Sequence, residues 1–256
     1  MDKQQLLRRL AGLLVAVALS GCAGTSQTVY DARDPWQGWN RDVQSFNDGL
    51  DDYVMKPVAK GYQWVTPSFV DRGVTNFFSN IDDIGVTIND LLQFKLAQTG
   101  SDGARFLVNT TAGVAGLFDV ATLIDLPKHN EDFDQTLGVW GVPMGPYLVL
   151  PFFGPSSPRG VGGLVGDVAM NPITYINSLA ITGGLFTLNA ADERADNLTT
   201  EKIATEAAVD RYDFFKNAYL QQRRFLVLDG NVPEEEEEID LNMDLGDESL
   251  RPVNPY

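Results

Sequence analysis

The chain has 256 residues, a formal net charge of −16 and a single cysteine. This acidity argues against nucleic-acid binding, which needs clustered Lys and Arg, and against adsorption to anionic headgroups by charge alone. One cysteine leaves no second thiol for a disulfide or a thiolate metal site, while the length suffices for one domain with a substantial core.

Residues 1–21 predict a lipoprotein signal peptide. A short positive region containing Lys3, Arg8 and Arg9 precedes an apolar stretch over 10–19 that is too short to span a bilayer. The stretch ends in Leu-Ser-Gly-Cys, a lipobox, which predicts attachment of diacylglycerol and an N-acyl chain at Cys22. An ordinary signal peptide followed by a chance cysteine is the alternative.

Removal of the signal peptide would expose Cys22 as the new N-terminus and move the net charge from −16 to −18. Because each buried methylene contributes about 0.8 kcal/mol, several acyl chains would hold the protein firmly on a membrane. Ala23 follows the cysteine instead of the Asp that retains many lipoproteins at the inner membrane. We therefore predict the periplasmic face of the outer membrane, with 22–33 as a lipidated tether.

The first part of the predicted domain, 34–230, contains two helix patterns. The first runs from about Trp36 to Tyr53, with Asp34 as its N-cap and Pro35 at the first helical position. The second shows apolar residues at three- and four-residue steps over 70–92.

The middle of the chain is poor in charge, with nine charged side chains over 104–191 and none over 135–158 or 168–191. These segments could form the interior of a globular protein or lie partly in lipid. We favour partial immersion, because a helix of a water-soluble domain normally keeps a charged stripe on its wet face. Glycine, proline and polar residues interrupt the apolar runs, which predicts short helices in one leaflet and no membrane-spanning helix.

Residues 141–155 are apolar but contain four prolines, so they cannot form a continuous helix. Irregular backbone at membrane depth persists only when it is buried in protein or lines a wet cavity. We therefore predict that 138–155 forms the wall or gate of a lumen, with a packed loop as the alternative. The candidate lipid-path residues are Gly138, Gly141, Pro143, Gly145, Pro146, Tyr147, Pro151, Phe152, Phe153 and Gly154, of which the three aromatic residues would meet acyl chains.

A single long helix is predicted from about Thr200 to Leu228, with Gly230 just past its end. From Asp229 onward there are ten acidic residues and one basic residue, so 231–256 is predicted to be a disordered acidic tail. The tail could instead be a docking arm for a basic partner. The predicted fold class is mostly α.

Nothing in the sequence favours catalysis or a cofactor. His129 is the only histidine and lies in a polar loop, for which a solvated position is expected. Asp82 and Asp83 are adjacent on a predicted helix and should point apart, which weakens a general acid and base pair. No Gly-x-Ser-x-Gly motif occurs, which weakens a lipase function. We predict no enzyme, no cofactor and no metal.

Several separate motifs of this chain resemble the MlaA (VacJ) lipoproteins. They occur in order over 34–228 and comprise Asp34-Pro35-Trp36-Gln37-Gly38-Trp39-Asn40-Arg41, Phe46-Asn47, Lys56-Pro57-Val58, Asn76-Phe77-Phe78-Ser79-Asn80, Arg105-Phe106-Leu107-Val108-Asn109-Thr110, Gly116-Leu117-Phe118-Asp119-Val120-Ala121, Asp134-Gln135-Thr136-Leu137-Gly138, Gly141-Val142-Pro143 to Gly154, and Asp210-Arg211-Tyr212 to Phe225. The tail with its five consecutive glutamates matches no motif of that family.

The resemblance implies a helical ring in the inner leaflet of the outer membrane around an amphipathic pore. It implies removal of mislocalised phospholipid from the outer leaflet and transfer to the soluble periplasmic carrier MlaC, with a trimeric porin as a further partner. Asn40, Arg41, Phe46 and Asn47 are candidate supports of the pore, although packing or a salt bridge would also explain Asn40 and Arg41. A structural lipoprotein and a phospholipid hydrolase are the alternative functions.

Overall fold

A computed structural model describes residues 31–233 of the protein. The predicted signal peptide, the lipid attachment at Cys22, most of the tether and the acidic tail from residue 234 lie outside the described residues. Within the described residues, 32–233 form one compact unit.

The described part is mostly helical, as the sequence predicted. Helices α1 to α4 are Gln37–Leu50, Lys56–Val65, Ser68–Leu92 and Leu96–Thr111, with a π-helical turn at Asp51–Met55 between the first two. The short helices α5 and α6 are Val120–Leu123 and Phe133–Val139. An antiparallel hairpin of β1, Leu148–Leu150, and β2, Gly154–Ser156, follows. Helices α7, α8 and α9 are Pro158–Met170, Leu179–Ala207 and Arg211–Val227, with a 3₁₀ turn at Pro172–Tyr175.

The N-terminal cap of α1 differs from the prediction. Trp36 occupies the cap position, without a side-chain hydrogen bond, and the helix begins at Gln37. Asp34 is buried, and its carboxylate accepts hydrogen bonds from Asn40 Nδ2 at 2.8 Å and from the hydroxyl of Tyr212 at 2.5 Å. The prediction of Asp34 as N-cap was wrong because these two donors engage its carboxylate.

The single helix predicted over 200–228 is two helices. Ala208 is in an extended conformation and ends α8. Asp210 then caps α9, because its Oδ1 accepts the backbone N–H groups of Tyr212 at 2.7 Å and Asp213 at 3.2 Å. Gly230 has a positive φ of 79°, and its N–H donates to Phe225 O at 2.9 Å, so the predicted glycine after the last helix is confirmed.

Helix α3 confirms the periodicity predicted over 70–92 and packs against α4. A buried arginine holds the turn that follows α4. Arg105 donates from Nη2 to both carboxylate oxygens of Asp119, at 3.1 and 3.2 Å, and Asn109 Nδ2 donates to the same carboxylate at 3.0 Å. Burial alone would raise the pKa of Asp119, but hydrogen bonds from Thr122 and Asn109 and the charge of Arg105 lower it to about 2.

The distribution of polarity is inverted relative to a water-soluble globule. Among the described residues, 18 polar or charged side chains are buried but only 11 hydrophobic ones. Large apolar side chains are strongly exposed, including Tyr53, Trp64, Phe94, Leu123 and Leu179, each at 80% or more. Polar groups are normally the exposed class, so the usual distribution of buried and exposed side chains is reversed in this part of the chain. Within 31–233 no helix has both the length and the apolar content needed to cross a membrane.

Candidate functional site

A cavity with a volume of about 990 Å³ lies among residues 31–233. Three helices present one face each to it, because the lining positions repeat every three or four residues along α3, α8 and α9. The loop before α6 and the end of α7 complete the wall. The lining includes Thr75, Ser79, Asp82, Gly85 and Asn89 from α3, Asn189, Asp192, Glu193 and Asp196 from α8, and Phe215, Ala218, Gln222 and Arg223 from α9.

The wall of this cavity is strongly acidic. Seven of its side chains are carboxylates, namely Asp82, Glu131, Asp132, Asp167, Asp192, Glu193 and Asp196, and only Lys128 and Arg223 are basic. Lys128 is bound by Asp83, and Arg223 Nη1 lies 2.5 Å from Asp132 Oδ2. Since both cations are already paired with carboxylates, the wall carries a clear excess of negative charge. We call this feature the acidic cavity.

Two carboxyls of the acidic cavity have strongly shifted pKa values. Burial raises the pKa of Asp82 to about 6. The positive charge of Lys128 lowers this pKa, and the negative charges of Glu193 and Asp83 raise it further. Burial likewise raises the pKa of Asp167 to about 6, although the backbone N–H of Phe133 donates to its carboxylate at 2.9 Å. The carboxylates therefore stay largely ionised at neutral pH and begin to take up protons just below it.

The predicted lipid-path segment 138–155 contributes only Pro155 to the acidic cavity. Met144, Gly145 and Pro146 line a second cavity of about 680 Å³, and 152–155 line a third of about 430 Å³. Helices α3, α8 and α9 supply most of the wall of the acidic cavity. The role of 138–155 as the wall or gate of a lipid-conducting lumen stays a prediction.

The candidate residues of this segment have different structural roles. Gly138 permits close packing, since a Cβ there would lie 2.7 Å from Val227 Cγ2. Gly154 has a φ of 75° directly after the β1–β2 turn, and Phe152 within the turn has a φ of 70°. The other irregular positions are Gly141 and Gly145, also with positive φ, and Pro143, Pro146 and Pro151.

The three aromatic candidates separate into two groups. Phe152 and Phe153 are about 70% exposed, which is compatible with contact to acyl chains. Tyr147 is fully buried and packs edge-on against Tyr212, with ring centroids 5.9 Å apart. The prediction that Tyr147 meets acyl chains was wrong, because its ring belongs to the core cluster with Val43 and Val149.

Two of the predicted pore supports attach the hairpin to α1. Asn40 is completely buried, donates from Nδ2 to Tyr147 O at 3.0 Å and accepts the N–H of Val149 at 2.8 Å. Asn47 repeats the pattern, because its Nδ2 donates to Leu150 O at 2.9 Å and its Oδ1 accepts from Phe152 N at 2.8 Å. The two asparagines are seven residues apart on α1, a rise of about 10.5 Å, and their partners in the hairpin are three residues apart, a rise of about 10 Å. Helix and strand therefore advance by the same distance between the two contacts.

The other two predicted supports make surface contacts. Arg41 lies 3.1 Å from Asp210 and 3.2 Å from Asp213, and its guanidinium is 4.2 Å from the centroid of the Tyr212 ring. The side chain therefore joins α1 to the start of α9. Phe46 packs edge-on against Phe152 at 5.5 Å and covers the turn of the hairpin.

The position of His129 differs from the expected solvated loop. The side chain is partly buried, and its Nδ1 lies 2.8 Å from Oδ2 of the fully buried Asp102. Asp83 is buried and binds Lys128, while its neighbour Asp82 faces the acidic cavity, so the two do point apart as predicted.

Sequence reasoning did not assign the carboxylates of the acidic cavity to a site. They come from four separate regions of the chain, and only the helix packing brings them together. One signal was available, because Asp82 shares a helix face with Thr75, Ser79, Gly85 and Asn89, which predicts a polar stripe along α3.

Fold and site together define a helical protein with many exposed apolar side chains and a polar, acidic cavity. Residues 32–226 match the model of the family described as MlaA lipoprotein. The chain belongs to this family. Its relatives include proteins of Haemophilus influenzae and Escherichia coli, each named intermembrane phospholipid transport system lipoprotein MlaA. They are 34% and 31% identical, over 90% of this chain and 94% and 92% of their own lengths.

A solved structure, from work on the "structural basis for maintenance of bacterial outer membrane lipid asymmetry", is similar in fold. It superimposes with a TM-score of 0.67 at 29% sequence identity, and the match covers 76% of this chain and 98% of the other. The sequence and fold comparisons each cover most of the chain.

Proposed function

We propose that this chain is an outer-membrane lipoprotein of intermembrane phospholipid transport. It removes mislocalised phospholipid from the outer leaflet, passes the lipid to a periplasmic carrier and so maintains lipid asymmetry. The names of the relatives and the description of the similar structure support this function.

The observation that carries the proposal is the inverted polarity of the fold. Exposed apolar side chains suit a position among acyl chains, and the acidic cavity supplies a hydrated space inside. A phospholipid headgroup that crosses an apolar layer unsolvated costs several kcal/mol or more, especially if it is charged. Polar side chains lining an interior cavity lower that cost without any covalent chemistry on the lipid.

The attachment and position of the protein belong to the same proposal. Acylation at Cys22 anchors the chain, and the helical domain lies as a ring in the inner leaflet with the periplasm below. The exposed Phe152 and Phe153 contact acyl chains there. Substitution Cys22→Ser removes the acylated thiol, so the chain should no longer incorporate radiolabelled palmitate in cells, and a variant that still incorporates the label would contradict the anchor.

Deletion of the gene tests the function most simply. An amine-reactive label that does not cross the membrane measures the phospholipid exposed on the cell surface. This amount should rise on deletion and fall back to the wild-type level on complementation. An unchanged surface signal would favour a structural lipoprotein instead. Release of fatty acid from labelled phospholipid by the purified protein would support a hydrolase and contradict transport without catalysis.

The MlaC-type periplasmic carrier and a trimeric porin are proposed as partners, on the family resemblance. Affinity purification of the mature lipoprotein from detergent extracts should retain the porin in stoichiometric amount. Addition of the purified carrier should then move bound phospholipid from one protein to the other. A chain that elutes alone and transfers no lipid would contradict both partnerships.

A further inference from the structure

The charge of the acidic cavity bears on which phospholipids pass through it. Seven carboxylates and two cations line the acidic cavity, and each cation already forms an ion pair with a carboxylate. Among the described lining residues no unpaired positive charge is available for a phosphate, so the potential inside is negative. A headgroup with a net negative charge is repelled there, and a headgroup with an ammonium group is attracted.

Two of these carboxylates can accept a hydrogen bond from an ammonium group. Among the described residues none donates a hydrogen bond to Asp82 or Asp196, or forms an ion pair with either, and both face the cavity. Asp192, by contrast, is buried, and the hydroxyls of Tyr62 and Thr75 donate to its two oxygens at 2.7 and 3.0 Å. Asp192 therefore supplies charge, while Asp82 and Asp196 can also supply hydrogen-bond acceptors.

The volume of the cavity agrees with this function. About 990 Å³ holds a phosphoethanolamine group with many waters, so the ammonium can reach the carboxylates while the phosphate stays hydrated. The opposite arrangement, with phosphate on the wall, would need unpaired Lys or Arg, because charge-assisted bonds to phosphate come from those side chains.

We propose that the acidic cavity selects phospholipids with an ammonium headgroup, such as phosphatidylethanolamine, over net anionic ones such as phosphatidylglycerol. This selection rests on the proposed function and names its preferred substrate class. A carboxylate about 8 Å from the headgroup in a hydrated site changes the ratio of the two bound lipids about twofold. Three carboxylates together therefore change this ratio about five- to tenfold.

The test uses the mature lipoprotein in neutral detergent at pH 7.5. It is incubated with equimolar dioleoyl phosphatidylethanolamine and dioleoyl phosphatidylglycerol and repurified, and mass spectrometry then quantifies the bound lipids. We expect at least a fivefold excess of phosphatidylethanolamine. The triple variant Asp82→Asn, Asp167→Asn, Asp196→Asn should lower this ratio about five- to tenfold.

A matched control changes the same net charge outside the cavities, through Asp42→Asn, Asp52→Asn and Asp125→Asn, and should keep the preference. Equal binding of both lipids by the unmodified chain, or the same ratio in the acidic-cavity variant, overturns the selection alone. Absence of both lipids from the unmodified chain overturns the proposed function as well.

A measurement on the unmodified chain keeps the proposal testable if the triple variant does not fold. Asp82 and Asp167 take up protons as the pH falls through about 6. The ratio of bound phosphatidylethanolamine to phosphatidylglycerol should therefore fall from pH 7.5 to pH 5, and a ratio that does not change over this range contradicts the proposal.

Discussion

Replacement of Asn40 by alanine tests how the hairpin is held against α1. The side chain is completely buried and makes three hydrogen bonds, to Asp34 at 2.8 Å, to Tyr147 O at 3.0 Å and from Val149 N at 2.8 Å. Asn40→Ala leaves these partners without their bond inside the protein. Since an unsatisfied buried polar group costs about 1–3 kcal/mol, the substitution should cost about 3–5 kcal/mol. That is a large part of an ordinary stability of about 5–15 kcal/mol.

Asn47→Ala is the matched control for this prediction. Asn47 makes the corresponding bonds to Leu150 and Phe152, but its partners are partly exposed and water can replace the lost bonds. We therefore expect a cost of only about 1–2 kcal/mol. Denaturant unfolding of the mature chain in mild detergent, followed by circular dichroism and tryptophan fluorescence, gives both values. An Asn40→Ala cost no greater than that of Asn47→Ala would refute the argument from burial.

Two further changes in stability follow from the structure. Gly166→Ala should lower the unfolding midpoint, because a Cβ there would lie 2.2 Å from the ring of Phe133. Gly183→Ala should raise the free energy of unfolding by about 0.5–1 kcal/mol, because nothing lies within 4 Å of its Cβ position and alanine favours a helix more than glycine does. Equal effects of the two would contradict the packing of α6 on α7. Because burial raises the pKa of Asp82 and Asp167 to about 6, above the unfolded value of about 4, the folded chain binds more protons in this range. The unfolding midpoint should therefore rise as the pH falls from 7.5 to 5, and replacing both residues by Asn should flatten this dependence.

The sequence predicted those features of the fold that depend on local periodicity and turn chemistry. The three- and four-residue spacing placed α3 within two residues of its observed start. The prolines of 141–155 predicted an irregular segment, and the glycine at 230 a helix end. The break at 208–210 was missed, although Asp210 ahead of a helical run is itself an N-cap signal.

The remaining features depend on contacts between distant parts of the chain. Asp34 has the residue type and position of an N-cap, but Tyr212, 178 residues later, takes one of its oxygens. Tyr147 and Phe152 are both aromatic and lie in one apolar run, yet one is buried and the other exposed. No local pattern distinguishes them, because only the packing of α1 and α9 on the hairpin decides which side chain faces inward.

The acidic cavity is the clearest case of this kind. Its carboxylates are separated by up to about a hundred residues, and each is an ordinary surface residue by local pattern. Only the arrangement of α3, α8 and α9 around one space turns them into a common electrostatic environment.

The central claim is that phospholipid passes through the acidic cavity, and a reversible block tests it most directly. Gly85 lines the cavity with nothing within 4 Å of its Cβ position, and the exposed Gly61 serves as a control outside it. In cells, Gly85→Cys is modified with a bulky reagent that forms a disulfide and is later released by a reductant. We predict that surface-exposed phospholipid rises on modification and falls after reduction, while Gly61→Cys shows no change. Complete modification at Gly85→Cys without any rise would contradict passage through this cavity.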